Sequence, residues 1–525
     1  MTLDASPLPP PLGDTLRATA RLAPKSTAIR FAGEEIDYAT LQTRVFQVAN
    51  ALADAGLQAG DRIAILARND GAYFELLFGA ATIGVVLVPL NWRLSAPEIA
   101  YILEDSAARF LFADAASREL AEAAAALTAA PPAIMPIGTG DGAGFESWRD
   151  AASSADPGTP VSSGDVALQL YTSGTTGRPK GALLSHHALN AIRLFQPPEV
   201  EWCQWTSKDV CLISMPLFHI GGIGMAFSAI YNGATMVISG EFSADALFDF
   251  IEGDGITKLF LVPAAIRIVL DHPRARQTDY SRIKYLVYGS SPISQALMSE
   301  AQAVFGCGMV QVYGMTETAG TIVALTAEDH RLGDEHLLRS AGKALHGVEL
   351  AILDSQGKSV PSGVVGEVAM RSPSNMSGYW RLPQENENCF TADGYLRSGD
   401  AGYIDENGYL FICDRVKDMI ISGGENVYSA EVEEALLTSD AVAEAAVIGV
   451  PDDKWGEVVK AFVVAAPGVV VDTEELRAWV KGRLAAFKVP KTIEVIDVLP
   501  RNAAGKVQRN VLREPYWRGR SRNIG

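Results

Sequence analysis

Apolar residues recur along this chain in two rhythms, and their alternation predicts its architecture. Short continuous runs such as RIAILAR (62–68), KYLVYG (284–289) and MVQVYG (309–314) read as buried strands. Between such runs lie alanine- and leucine-rich stretches with helical spacing, one near 41–55 and one, SQALMSEAQAVF, at 294–305. This alternation predicts an α/β fold with largely parallel sheets. From about 341 to 413 the texture changes to short strands punctuated by DSQGK, DGY and DENG turns, which predicts antiparallel β structure. Beyond residue 417, a helix at 429–437, strands at 443–450 and 459–465, a helix at 474–485 and a strand at 492–498 predict a small α+β domain. The stretch 136–164, rich in Gly, Pro, Ser and Asp, reads as an exposed connection.

The run from 211 to 238 is uncharged if His219 is neutral, and it is long enough to span a bilayer. Pro216, four glycines and Asn232 break it, so it is expected to fold as strand–turn–helix–turn–strand rather than as a membrane segment. The 525 residues are enough for roughly three to four domain-sized units. Lys and Arg number 44 against 62 Asp and Glu, a formal charge of −18 that argues against a nucleic-acid polymer as partner but not against a local anion site. Five scattered cysteines form no CxxC pair, so neither a disulfide framework nor a zinc site is written here. The N-terminus lacks a basic segment followed by an apolar one, so a signal peptide is not expected and a cytoplasmic location is.

The densest chemical signal is the segment 172–181, TSGTTGRPKG, between a strand-like run at 166–171 and a helical run expected from about Ser185. Hydroxyls and glycine amides crowded beside Arg178 and Lys180 suit a polyphosphate. The spacing is not that of a Walker A loop. Three further segments accompany it in order: QVYGMTET at 311–318, YLRSGD at 395–400 with GYLFICDRVK at 408–417, and PRNAAGKV at 500–507.

Together the four segments resemble the adenylate-forming superfamily of acyl-CoA synthetases, luciferases and peptide-synthetase adenylation domains, over about residues 14–515. The resemblance implies a large N-terminal AMP-binding domain, residues 1–413, built of two α/β lobes plus a β subdomain. A hinge at 414–417 and a small mobile α+β domain at 418–525 would follow. It implies an ATP-dependent acyl-CoA ligase that joins acid, ATP and CoA through an acyl-AMP intermediate, with Mg²⁺ as cofactor. Thr172, Ser173, Gly174, Thr175, Thr176 and Lys180 would cradle the phosphates, and Glu317 would hold the metal. Gly289, Ser290, Ser291 and Pro292, with Gln311, Tyr313, Gly314, Met315 and Thr316, would frame the nucleotide, and Asp400 with Arg415 would take the ribose. Lys506, together with Thr172 and Glu317, would be catalytic, Lys417 would be the hinge residue, and Ser422, Gly423, Gly424 and Glu425 would line the CoA channel.

His219, Ile220, Gly221, Gly222, Gly314 and Ala319 fall where the family binds its acid. Amino-acid-activating relatives carry an Asp in this region and this chain has none, which disfavours an amino acid. The absence of Arg and Lys between 211 and 238 disfavours a second carboxylate. Gly221, Gly222 and Gly224 are expected to leave room for a bulky apolar acid, fatty or aromatic, unless they serve helix packing. Three rivals remain open: acyl transfer to a carrier-protein thiol, a luciferase-like oxygenase, and a non-catalytic acyl-nucleotide sensor. The expected partners are the carboxylic acid, ATP and CoA, with no nucleic acid and no integral membrane segment; a homodimer is left open.

Overall fold

The computed structural model describes residues 9–138, 144–172, 178–194, 196–291, 293–416, 418–422, 425–452, 454–501 and 506–518. Two compact units emerge: residues 1–349 with 371–390, and residues 350–370 with 391–525. Most strands of the expected β subdomain thus group with the C-terminal residues, while Lys343–Ala344 and Gly378–Tyr379 belong to the first unit.

The first unit holds two sheets. In the nine-stranded sheet, Gly308–Met315, Tyr285–Gly289, Lys258–Leu261, Val210–Ile213, Thr235–Ile238 and Thr27–Phe31 run parallel side by side, with antiparallel strands at both edges. In the seven-stranded sheet, Val166–Thr172, Val86–Pro89, Arg62–Leu66, Phe110–Asp114 and Ala133–Ile137 are parallel, and Lys180–Ser185 and Gly378–Tyr379 add an antiparallel edge. The apolar run at 211–238 folds as expected into Val210–Ile213, the helix Ile220–Tyr231 and Thr235–Ile238. No helix among the described residues is long and apolar enough to cross a membrane.

The helix expected from about Ser185 starts at His186, after the strand Lys180–Ser185. One local reading needs correction. The stretch 136–164 is not wholly an exposed connection, because Phe145–Asp150 forms a helix. Phe145, Trp148 and Arg149 share one face at i, i+3 and i+4 spacing. Phe145 is fully buried edge-on against Phe112, and Arg149 reaches the buried Glu75 at 2.6 Å. Gly, Asp and Ser on both sides dilute that short apolar signal in the sequence.

His186 offers a pH test of this unit. It is fully buried, and its Nδ1 accepts the Leu12 backbone N–H at 3.1 Å, which ties the first helix down. Burial lowers its pKa to about 4 from an ordinary 6.5. The unfolded chain therefore takes up the proton first. The stabilisation is complete above about pH 6.5 and is lost as pH falls towards 4, a loss on the order of 2–3 kcal/mol. Melting temperatures measured between pH 7 and 4 should fall less steeply for His186→Asn, whose amide oxygen still accepts the Leu12 bond. An unchanged slope would remove His186 as the cause.

The second unit contains a four-stranded antiparallel sheet of Glu349–Leu353, Gly366–Arg371, Leu396–Ile404 and Leu410–Arg415, in agreement with the turn-rich texture. A five-stranded sheet follows, in which the long strand Val442–Asp452 pairs antiparallel with Gly456–Ala465. Its helix at Thr473–Lys481 ends four residues before the predicted 474–485 does, because Gly482 caps it. The helices Ser429–Leu437 and Arg509–Trp517 are bound to one another through Arg509 and Glu433 at 2.7 Å.

Candidate active site

The hydroxyl-rich segment is flanked by two paired strands. Val166–Thr172 and Lys180–Ser185 pair antiparallel with Thr172 opposite Lys180, while Ser173, Gly174, Thr175 and Thr176 lie outside the described residues. The outer edge of this hairpin pairs with Gly378–Tyr379, placing Tyr379 opposite Ala182. Tyr379 then donates its hydroxyl to Glu317 Oε1 at 2.8 Å, and Thr172 donates to the same oxygen at 3.2 Å. Burial, reinforced by the Glu317 charge, raises the Tyr379 phenol pKa, so it remains a donor.

Glu317 sits in the one-turn segment Thr316–Thr318 and is only 6% exposed. Among the described residues no cation pairs with it. A buried carboxylate held by two neutral hydroxyls alone is short of positive charge. The described residues contain no group of three or more His, Cys, Asp or Glu able to cage a metal. One hard carboxylate oxygen set, completed by phosphate oxygens, is nonetheless the donor arrangement that suits Mg²⁺. Lys180 is already compensated: its ammonium lies 2.5 Å from Glu385, on the helix Pro383–Cys389, and over the Tyr379 ring.

The nucleotide-framing candidates cluster at the carboxyl ends of two adjacent parallel strands, where open α/β sheets bind ligands. Gly289 pairs with Val312, next to Tyr313, and Ser290 adopts a left-handed φ of 68°. Ser291 is exposed beside it, and Pro292 lies outside the described residues. Gln311 faces the scaffold, accepting from Tyr288 at 3.1 Å and donating to Ser340 at 3.3 Å. A Cβ on Gly314 would lie 1.9 Å from the Gly320 carbonyl oxygen, so only glycine fits there. Met315 donates its N–H to Thr318 Oγ1, which closes the turn that carries Thr316 and Glu317.

On the acyl side, His219 caps the helix Ile220–Tyr231 by accepting the Gly221 N–H at 3.2 Å. The expected room beside the glycines is only partly there. At Gly222 a Cβ would lie 2.7 Å from the Met215 and Pro216 carbonyls, and at Gly224 it would lie 3.0 Å from the Arg193 guanidinium. Gly222 thus serves packing, and Gly224 makes way for a side chain from another helix. Ala319, with φ 49°, accepts from that same Arg193 at 2.7 Å.

In the second unit Asp400 and Arg415 are register partners on neighbouring strands, and Arg415 Nε is 2.7 Å from Asp400 Oδ1. Asp400 is 7% exposed, fixed further by the Ser398 hydroxyl on its N–H. Ser422 and Glu425 are antiparallel register partners, and Gly423, Gly424 and Lys417 lie outside the described residues. The residues flanking Lys417 are anchored: Asp414 accepts the Ser429 N–H, and Asp418 pairs with Arg513 at 2.9 Å. Lys506 is exposed next to Val507, which forms an antiparallel bridge with Arg501.

Sequence reasoning missed Tyr379, Glu385 and Arg193. The GYW triplet at 378–380 was the available signal for the first, whereas nothing local marks the other two.

Comparison with known proteins gives the family. The AMP-binding enzyme family matches residues 16–380, and the AMP-binding enzyme C-terminal domain matches residues 431–506. The chain is 41% identical to a fatty acid–[acyl-carrier-protein] ligase of Streptomyces coeruleorubidus, over 96% of each chain. It is 39% identical to a feruloyl-CoA synthase of an Amycolatopsis species, over 95% of this chain and 97% of that one. ATP-bound MatB from Rhodopseudomonas palustris superposes with a TM-score of 0.86 at 33% identity, covering 95% of this chain and 99% of that one. The chain belongs to the AMP-binding enzyme family, within the adenylate-forming superfamily, and is an α/β ligase with a large N-terminal and a small C-terminal domain.

Proposed function

We propose that the protein is an acyl-CoA ligase acting on a fatty or aromatic carboxylic acid. The observation that carries this reading is the buried Glu317 carboxylate, short of a cation, beside the Thr172–Lys180 hairpin. In the first half-reaction a carboxylate oxygen of the acid attacks the α-phosphorus of ATP, forming an acyl–phosphate bond and releasing pyrophosphate. The acid is already ionised, so no general base is required, and positioning with charge stabilisation accounts for the catalysis. In the second, the CoA sulfur attacks the acyl carbon, its proton leaves to solvent, and AMP departs.

Mg²⁺, when bound, neutralises phosphate charge, and Glu317 would hold it together with ATP oxygens. Thr172 and Tyr379 orient that carboxylate. Lys180 and the loop 173–176 bind the pyrophosphate end, and Asp400, held by Arg415, accepts from the ribose hydroxyls. Lys506 bridges the reacting carboxylate and the α-phosphate. Rotation about Lys417, between residues 1–413 and 418–525, then replaces Lys506 with the Ser422–Glu425 segment, which lines the CoA channel. A second reading, transfer to a carrier-protein thiol, is favoured by the 41%-identical carrier-protein ligase.

Pyrophosphate release across a panel of fatty and aromatic acids, with CoA or with phosphopantetheinylated carrier protein, tests both. Acid-dependent release with CoA converted to thioester is expected. Thioester on the carrier alone would select the second reading, and no release with any acid would sink both.

A further inference from the structure

Arg193 enters the acyl region from the helix His186–Leu194 and reaches two neighbouring elements. Its Nε donates to Gly224 O at 3.4 Å, Nη1 to Leu189 O at 2.6 Å and Nη2 to Ala319 O at 2.7 Å. All three acceptors are main-chain carbonyls, and no carboxylate among the described residues pairs with this guanidinium. Two glycines make room for it. A Cβ on Gly224 would stand 3.0 Å from Nη2, and one on Gly320, whose φ is +107°, would stand 3.1 Å away. Phe227, on the helix Ile220–Tyr231, lies beside the guanidinium at 5.7 Å, and Ile220 lies against Gly320. The charge is therefore set into the wall formed by Ile220, Gly224 and Ala319.

A guanidinium carries five N–H donors. Three are used, leaving one on each terminal nitrogen in a side chain that is half-buried rather than sealed. Burial pulls its pKa down, yet an arginine stays charged in proteins. A half-buried charge with two unused donors and no carboxylate partner among the described residues favours an acceptor oxygen beside it.

Resting on the acyl-adenylating reading above, we propose that Arg193 determines specificity by hydrogen-bonding an acceptor oxygen on the acid, remote from the reacting carboxylate. The acid then has an apolar body that ends in, or carries, a hydroxyl, keto, ether or carboxylate oxygen. This reverses the inference drawn from the absence of Lys and Arg at 211–238, because the cation arrives from the preceding helix.

The test compares matched acids on the full-length protein: decanoic, 10-hydroxydecanoic and decanedioic acid, and cinnamic with 4-hydroxycinnamic acid. Wild-type kcat/KM for pyrophosphate release should favour an oxygenated member of a pair, and the diacid arm separates an anionic from a neutral acceptor. Arg193→Met should lower kcat/KM on the favoured oxygenated acid about 10- to 100-fold, mainly through KM. The plain acid should hold its rate or gain, and the KM for ATP should not move. Should Arg193→Met fail to fold, Arg193→Lys is read instead and should narrow the preference.

Wild-type preference for the plain acids overturns the proposal. So does an equal loss on both members of a pair in the Met variant, or an unchanged ratio in the Lys variant. Absence of release with every acid removes the adenylation reading itself, whereas release that favours hydrocarbon acids removes only the role of Arg193.

Discussion

Lys506→Ala is expected to lower acid-dependent pyrophosphate release by at least about 10³-fold while leaving thioester formation from supplied acyl-AMP within a few-fold of wild type. The proposed mechanism uses no general base, so this ammonium is the group on which the charge of two converging anions falls. Its position suits a part that comes and goes. Lys506 is exposed, adjoining Val507 in the bridge to Arg501, and not built into a core. Its removal should therefore leave the melting temperature nearly unchanged. Single-turnover measurement of the two half-reactions separates the outcomes. Equal loss of both would remove Lys506 from the adenylation step and place it in a function common to the two.

Glu317→Gln is expected to slow acyl-AMP formation by about 10²-fold or more and to raise the Mg²⁺ concentration needed for half-maximal rate. The substitution is nearly isosteric. The amide oxygen can still accept from Thr172 and Tyr379, so the turn at Thr316–Thr318 keeps its supports and only the negative charge is lost. A Mg²⁺ titration of rate, alongside a melting curve, reads the charge apart from the fold. An unchanged rate and Mg²⁺ response would assign Glu317 a purely scaffolding role.

Much of the architecture was legible because buried parallel strands are continuous apolar runs, as at 284–289 and 309–314, and turn residues punctuate the antiparallel region. The helix Phe145–Asp150 was not, since three core-facing residues in six are too weak a signal among glycines and serines. At the candidate site, motifs packed into ten residues stood out in the sequence. Asp400 and Arg415 were marked only through the family resemblance, and cross-strand register brings the two together. Tyr379, Glu385 and Arg193 could not. Each reaches its target through strand pairing or helix packing between segments tens to hundreds of residues apart, as in the 205 residues separating Lys180 from Glu385. The local chain around Glu385 and Arg193 is ordinary, and the GYW triplet at 378–380 marks Tyr379 only weakly, so tertiary placement is what makes them chemical.

The contact between Lys180 and Glu385 bears on how an anion would enter. A lysine already holding a tethered carboxylate is not an open magnet for whatever anion diffuses past. On the proposed reading, phosphate binding becomes an exchange of one counter-ion for another. The local charge balance changes little, and the incoming group must outcompete a partner whose effective concentration is high. Chloride and inorganic monophosphate, each offering a single weak grip, are poor competitors in that exchange. A polyphosphate that engages several loop donors at once is a good one, so the hairpin filters its ligands by valency as well as by charge.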